Sequence, residues 1–121
     1  MEYFAGLDVS MEYTHICVVD QEGVVIHEAS TWSSPAAIAA ELSKVSACRR
    51  VVFETGRMAA MLHHGLIAHG VPIICIESRQ ARQTLLATHK TDRNDARGLA
   101  QLAHAGFFKS VHVKSLHAHA I

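Results

Sequence analysis

The sequence predicts an α/β fold, a mixed five-stranded sheet covered by helices. Three observations carry that prediction. Three short β-type segments fill the region from Tyr3 to Ala29; the apolar spacing turns helical after Ser33-Ser34-Pro35; and two short apolar runs, Val51-Val52-Phe53 and Val71 to Ile76, are each followed by a helical pattern.

Tyr3 to Val9 reads as the first strand, and Thr14 to Asp20, with Ile16, Val18 and Val19, as the second. Asp20-Gln21-Glu22-Gly23 supplies turn residues before a third strand from Val24 to Ala29, completing an antiparallel meander. Ser33-Ser34-Pro35 provides a cap and a proline at the first helical position, and Ile38, Leu42 and Val45 recur at helical spacing, predicting a crossover helix. Val51-Val52-Phe53 is continuously apolar, as a strand covered on both faces should be, and stops at Glu54. Met58, Met61, Leu62 and Leu66 then mark one face of a helix that Gly70 ends. A fifth strand is expected over Val71 to Ile76, a helix over Ser78 to Leu86 and a loop over Ala87 to Thr91. The last helix is expected from Asp92 to Ala105, with Thr91 as N-cap and Gly106 as stop; nothing regular is expected after Val113.

With 121 residues, 50% of them hydrophobic, the chain suits one domain with a real core and is too short for two ordinary ones. No apolar run approaches the ~20 residues a bilayer-spanning helix needs, and no secretory signal pattern opens the chain, so the expected compartment is the cytoplasm, with no membrane partner. Cys17, Cys48 and Cys75 lack C-x-x-C spacing and read as buried free thiols. Net charge is zero, yet residues 1–43 hold seven acids and no Lys or Arg, while residues 44–121 hold eleven bases against four acids. Such a basic half suits a phosphate-rich partner, or is a solvated face.

Four acids stand at predicted element ends beside apolar runs: Asp8, Glu54, Asp92 and Asp95. Asp92 and Asp95, three apart, share a helical face that continues through Leu99, Leu102 and Ala103. If the first and fourth strands are parallel neighbours, Asp8 and Glu54 meet at one edge of the sheet, where α/β folds form their sites. Clustered buried carboxylates need a cation, and oxygen ligands of this kind favour Mg²⁺ or Mn²⁺. Two such ions roughly 3.5–4 Å apart suit phosphodiester chemistry. Each acid also has a structural explanation: the helix dipole favours Asp92 and Asp95 by ~0.3–1 kcal/mol each, Asp8 suits an Asx turn with Ser10, and Glu54 suits a strand-to-helix turn. One metal site accounts for all four together. Lys90, Arg93 and Arg97 flank the acids, where they could hold nucleic-acid phosphates or salt-bridge to Asp92 and Asp95 within the helix.

The ten histidines do not form a recognisable site: His63, His64 and His69 lack i, i+4 pairing, and His112, His117 and His119 lie in an irregular tail. Neither a Walker-type P-loop nor a G-x-G-x-x-G occurs, and Ser10, Ser33 and Ser34 carry no nucleophile spacing.

Gly6-Leu7-Asp8-Val9-Ser10, Phe53-Glu54-Thr55-Gly56 and Lys90-Thr91-Asp92-Arg93-Asn94-Asp95-Ala96, with Leu99-Ala100 behind, resemble in order and spacing the N-terminal domain of the DEDD transposases of the insertion-sequence one-ten family. The resemblance runs from about residue 3 to about residue 116, and K-T-D-R-x-D-A is its most specific motif. It implies an RNase H-like fold of the RuvC type, with Asp8, Glu54, Asp92 and Asp95 as the catalytic, Mg²⁺-binding (or Mn²⁺-binding) acids of a DNA transposase and site-specific recombinase. It also implies DNA as partner, in some members a structured guide RNA, a homo-oligomer in the intact protein, and a C-terminal domain bearing a nucleophilic serine. Residues 1–116 would then be the RNase H-like domain and 117–121 a tail at a truncation point. Metal and nucleic-acid binding are expected of this chain, and complete strand exchange only of the intact protein.

Two other readings compete. Gly6-Leu7-Asp8-Val9-Ser10 loosely fits the phosphate loop of sugar-kinase and actin-like ATPases, which need two domains around the nucleotide. A non-catalytic remnant that binds nucleic acid or dimerises would show salt-sensitive, metal-indifferent binding.

Overall fold

In a computed structural model, which describes residues 1–77, 95–106, 108 and 110–113, the strand Tyr3–Val9 (β1) is the centre of a five-stranded sheet. On one side β1 pairs antiparallel with Tyr13–Val19 (β2), and β2 pairs antiparallel with Val25–Trp32 (β3). On the other side β1 runs parallel to Cys48–Glu54 (β4), and β4 parallel to Ile73–Ile76 (β5). The order is therefore β3-β2-β1-β4-β5: the meander and the two crossover strands are those the sequence predicts, and the structure makes β1 and β4 the parallel neighbours.

Among the described residues three helices cover the sheet, Pro35–Leu42 (α1), Ala59–Ala68 (α2) and Asp95–Ala105 (α3). Strand alternation divides the apolar side chains between two layers. Ala5 and Leu7 of β1 and Val51 and Phe53 of β4 join Ile38, Leu42, Leu62 and Leu66 beneath α1 and α2. Phe4 and Val52 face the opposite way and meet Leu99, Ala100, Leu102 and Ala103 of α3. Both faces of the central strands are thus dry, which is why their sequences are continuously apolar. Burying each such Leu, Val or Phe contributes about 1.5–3 kcal/mol.

The local signals work as their chemistry dictates. Ser34 Oγ accepts from the Ala37 amide at 3.2 Å and caps α1, with Pro35 at the first helical position. Asp20 Oδ1 accepts from the amides of Glu22 and Val24 at 2.9 and 3.0 Å and closes the β2–β3 turn. Gly70 and Gly106, at φ of 79° and 77°, follow α2 and α3 as stops. Cys17 and Cys75 are buried and Cys48 partly so; all three are free thiols that burial pushes up to about 11. Among the described residues, no helix is long and apolar enough to cross a membrane.

Several boundaries differ from expectation. β3 continues to Trp32, past Ala29, because Ser30 and Thr31 pair with His15 and Thr14 and Trp32 with Tyr13. As an edge strand it carries little apolar signal, and its polar end looks like a loop. β4 starts at Cys48, before Val51, since Cys48 and Arg50 pair with Tyr3 and Phe4, with the register shifting at Arg49. Met61 of α2 is exposed instead of packed, and Val45 follows the end of α1 while still touching the core. β5 begins at Ile73, and Ser110 adds an antiparallel bridge to Ile76 at its outer side. The expected helix over 78–86, the loop over 87–91, the Thr91 cap, the start of the last helix before Asp95 and the 117–121 tail lie outside the described residues.

Candidate metal and nucleic-acid site

The β1–β4 ladder brings the first two acids together. Leu7 is the register partner of Phe53, so Asp8 and Glu54 are the next residues of two parallel neighbours, whose strands run about 4.8 Å apart. Alternation then sets their direction. Because Leu7 and Phe53 point toward α1 and α2, Asp8 and Glu54 share the face of Phe4 and Val52, on which α3 lies. Both acids are half-buried and line a cleft of about 450 Å³ together with Ser10, Met11, Thr55, Arg57 and Leu99.

The path of α3 brings its N-terminus to the same edge. At its far end, Arg50 Nε donates to the Ala103 carbonyl at 2.7 Å and Nη2 to that of His104 at 3.2 Å, while the guanidinium sits 4.9 Å from the Phe4 ring centre. The C-terminus of α3 therefore lies by the start of β1 and β4, and its N-terminus by their ends. Gly6 permits this contact. A Cβ there would lie 2.3 Å from the Ala100 nitrogen and 2.4 Å from the Ala96 oxygen, inside any tolerable separation. Asp95, next to Ala96 in α3, thus lies beside the strand end that carries Asp8. Asp92, Lys90, Arg93 and the Asp95 side chain lie outside the described residues. Among the described residues, no group of three or more His, Cys, Asp or Glu side chains could hold a metal.

Arg97 has a partner that the sequence reading did not consider. It reaches across the sheet to β3 and forks Glu28, with Nη2 2.9 Å from Oε2 and Nε on Oε1. This pairing holds the Glu28 carboxyl below its ordinary range and raises the Arg97 guanidinium. Further along the same helix face, Gln101 Nε2 donates to the Gly23 carbonyl at 2.9 Å and His104 Nε2 lies 2.7 Å from the Gln21 carbonyl. The i, i+4, i+7 spacing of Arg97, Gln101 and His104 was the available signal for a polar seam; its partner, the β2–β3 hairpin, is a tertiary matter.

Sequence reasoning also passed over His15. In the β1–β2 ladder it is the register partner of Asp8, and its Nδ1 lies 2.6 Å from Ser30 Oγ of β3. Ser30, His15, Asp8 and Glu54 therefore form a polar row across four strands, each facing the α3 side. His63 and His64, by contrast, meet edge to face at 5.2 Å, and burial lowers the pKa of His63.

Residues 5–121 match the family model described as a transposase, that of the DEDD transposases of the insertion-sequence one-ten family. No curated protein matches in sequence. Among solved structures, Thermus thermophilus RuvC in complex with a Holliday junction substrate superposes with a TM-score of 0.64 at 14% identity, over 92% of this chain and 100% of that one. A second T. thermophilus RuvC structure gives 0.64 at 16% identity, over 90% and 99%. The large terminase nuclease of the thermophilic phage G20c, solved with bound zinc, gives 0.56 at 17% identity, over 87% and 60%. Likeness at these identities is one of fold, and the fold is RNase H-like, of the RuvC type.

Proposed function

The chain belongs to the DEDD transposases of the insertion-sequence one-ten family, and on that premise we propose that it supplies their metal-dependent site for DNA phosphodiester chemistry. Asp8, Glu54, Asp92 and Asp95 are the ligands in this reading, and Mg²⁺ or Mn²⁺ the ion. The observation that carries it is the juxtaposition of Asp8 and Glu54 on one face at the end of β1 and β4, with Asp95 of α3 beside them.

The donor set fits the ion. Carboxylate oxygens are hard ligands, and placing four together at a half-buried edge is unfavourable unless a cation offsets their repulsion. When bound, a pair of such ions activates the attacking oxygen and stabilises the leaving one. The chain's own residues do the positioning. Two acids project from strand ends anchored in the dry core, and the helix that Arg50 fastens carries Asp95. Lys90 and Arg93 hold DNA phosphates beside the acids, and Arg97 joins them by exchanging Glu28 for a phosphate.

DNA as substrate is supported by the family and by the junction-bound RuvC neighbour. Complete strand exchange, in this reading, also requires the family's serine-bearing domain, a second protomer and, in some members, a guide RNA. The test is thermal melting during Mg²⁺ and Mn²⁺ titration. A ligand at a hundred times its Kd stabilises the fold by about 2.7 kcal/mol. A rise in Tm for the wild type that is absent in Asp8→Asn and Asp92→Asn is expected; an equal rise in all three, or none, sinks the site.

A further inference from the structure

Trp32, the only tryptophan of the chain, is 59% exposed and stacks on Tyr13, 46% exposed, with ring centres 4.7 Å apart and planes 20° from parallel. Large aromatic side chains ordinarily supply core area. This pair sits at the last rung of the β2–β3 ladder and supplies none.

Its place in the sheet ties it to the acids. Trp32 lies on the same side of β3 as Ser30 and Glu28, and Tyr13 on the same side of β2 as His15 and Cys17. That is the α3 face, which Asp8 and Glu54 share. The rung also lies at the same end of the sheet, since β2 begins where β1 stops. Two strand spacings, about 10 Å, separate β3 from β1. Met11, 67% exposed, lies in the turn between β1 and β2 and lines the acidic cleft.

The platform is also held rigidly to the acid-bearing strand. Ser33, next to Trp32, donates from Oγ to the Ser10 carbonyl at 2.6 Å and from its amide to the Glu12 carbonyl at 2.8 Å. Its Oγ lies 2.8 Å from Thr14 Oγ1 in a buried contact. Aromatic planes fixed in this way lose little freedom when a flat ligand stacks on them.

Resting on the proposed DNA function, we infer that the Tyr13–Trp32 pair is a stacking platform for an unpaired DNA base adjoining the phosphodiester held at Asp8 and Glu54. An aromatic face accepts any base, because every base has a π-face, but only where the base has left its duplex stack. The partner is single-stranded or locally opened DNA. Duplex DNA, whose faces are covered, gains nothing from the platform.

Trp32 is its own reporter. The wild-type chain is titrated at low salt with a short single-stranded DNA, the same strand made abasic throughout, the matching duplex, and single-stranded RNA of equal sequence. Quenching of tryptophan fluorescence by the single-stranded DNA alone is expected. Read by the fluorescence anisotropy of end-labelled strands, since neither variant keeps a tryptophan, Trp32→Ala should weaken that binding roughly five- to a hundredfold, with Trp32→Phe near wild type and duplex affinity changed less than twofold. Binding without quenching, or equal affinity for the intact and abasic strands, overturns the platform while leaving the nucleic-acid reading in place; the abasic arm needs no variant to fold. Tighter, quenching binding of RNA overturns the DNA assignment. No binding of any strand removes both the platform and the reading beneath it.

Discussion

Arg50 and Ala103 are joined at 2.7 Å by a hydrogen bond from guanidinium to helix carbonyl, 53 residues apart in the chain. The bond pins the C-terminus of α3 to β4, and with it the line along which the opposite end delivers Asp95. Positive charge at a helix C-terminus is favourable, and the planar fork reaches two carbonyls while lying on Phe4.

Arg50→Ala should therefore cost about 1.5–3 kcal/mol in urea unfolding and shrink the Mg²⁺-dependent rise in Tm. Arg50→Lys, which keeps the charge and loses the fork, should recover only part of either. A variant with full stability and full metal response would show that the clamp does not position the site.

Gly6→Ala places a methyl 2.3 Å from the Ala100 nitrogen, against backbone that cannot rotate away. Overpacking of this kind costs about 1–3 kcal/mol or more. Since the displaced segment is the start of α3, the metal response should fall further than the stability loss alone explains. Thermal melts with and without Mg²⁺ check both effects, and Ala5→Gly on the opposite face serves as the comparison for general weakening.

Ser33 Oγ serves two partners, the Ser10 carbonyl and buried Thr14 Oγ1. Ser33→Ala leaves them short of a partner and should cost about 1–3 kcal/mol in chemical denaturation. It should also loosen the turn after Asp8, seen as faster exchange of the Ser10 amide, which donates to the Tyr13 carbonyl at 2.9 Å.

The Glu28–Arg97 pair sets a pH and salt dependence. Arg97 depresses the Glu28 carboxyl, so its stabilisation is present above the ordinary glutamate range and disappears as pH falls through the lowered value. Both groups are exposed, so the effect is small and screened by salt. Glu28→Gln should slightly flatten the acid side of the stability profile at low salt, a difference that 1 M NaCl removes. It should also strengthen DNA binding, because Arg97 is released to a phosphate. Unchanged or weaker binding would place Arg97 outside the nucleic-acid surface.

Local chemistry made much of the fold legible. The Ser34-Pro35 start, the Gly70 and Gly106 stops and the Asp20 turn each act through neighbours within a few residues, so their outcome is written in short words of sequence. The apolar runs ending at Asp8 and Glu54 likewise announced strands with acids at their ends. The polar end of β3 was illegible, because Ser30, Thr31 and Trp32 become strand only through partners on β2.

What the sequence by itself determined is the five strands, the helices that follow Pro35 and Glu54, the five-stranded α/β class and the four acids with their motif, all properties of residue type and spacing. The tertiary structure decided which of these meet: that β1 neighbours β4, that Asp8 and Glu54 turn toward α3, that Gly6 lets the helix close on them, and that Arg97 takes Glu28. Those outcomes depend on register and face between residues 46 to 94 positions apart, from Leu7 and Phe53 to Gly6 and Ala100, which a period along one segment cannot encode.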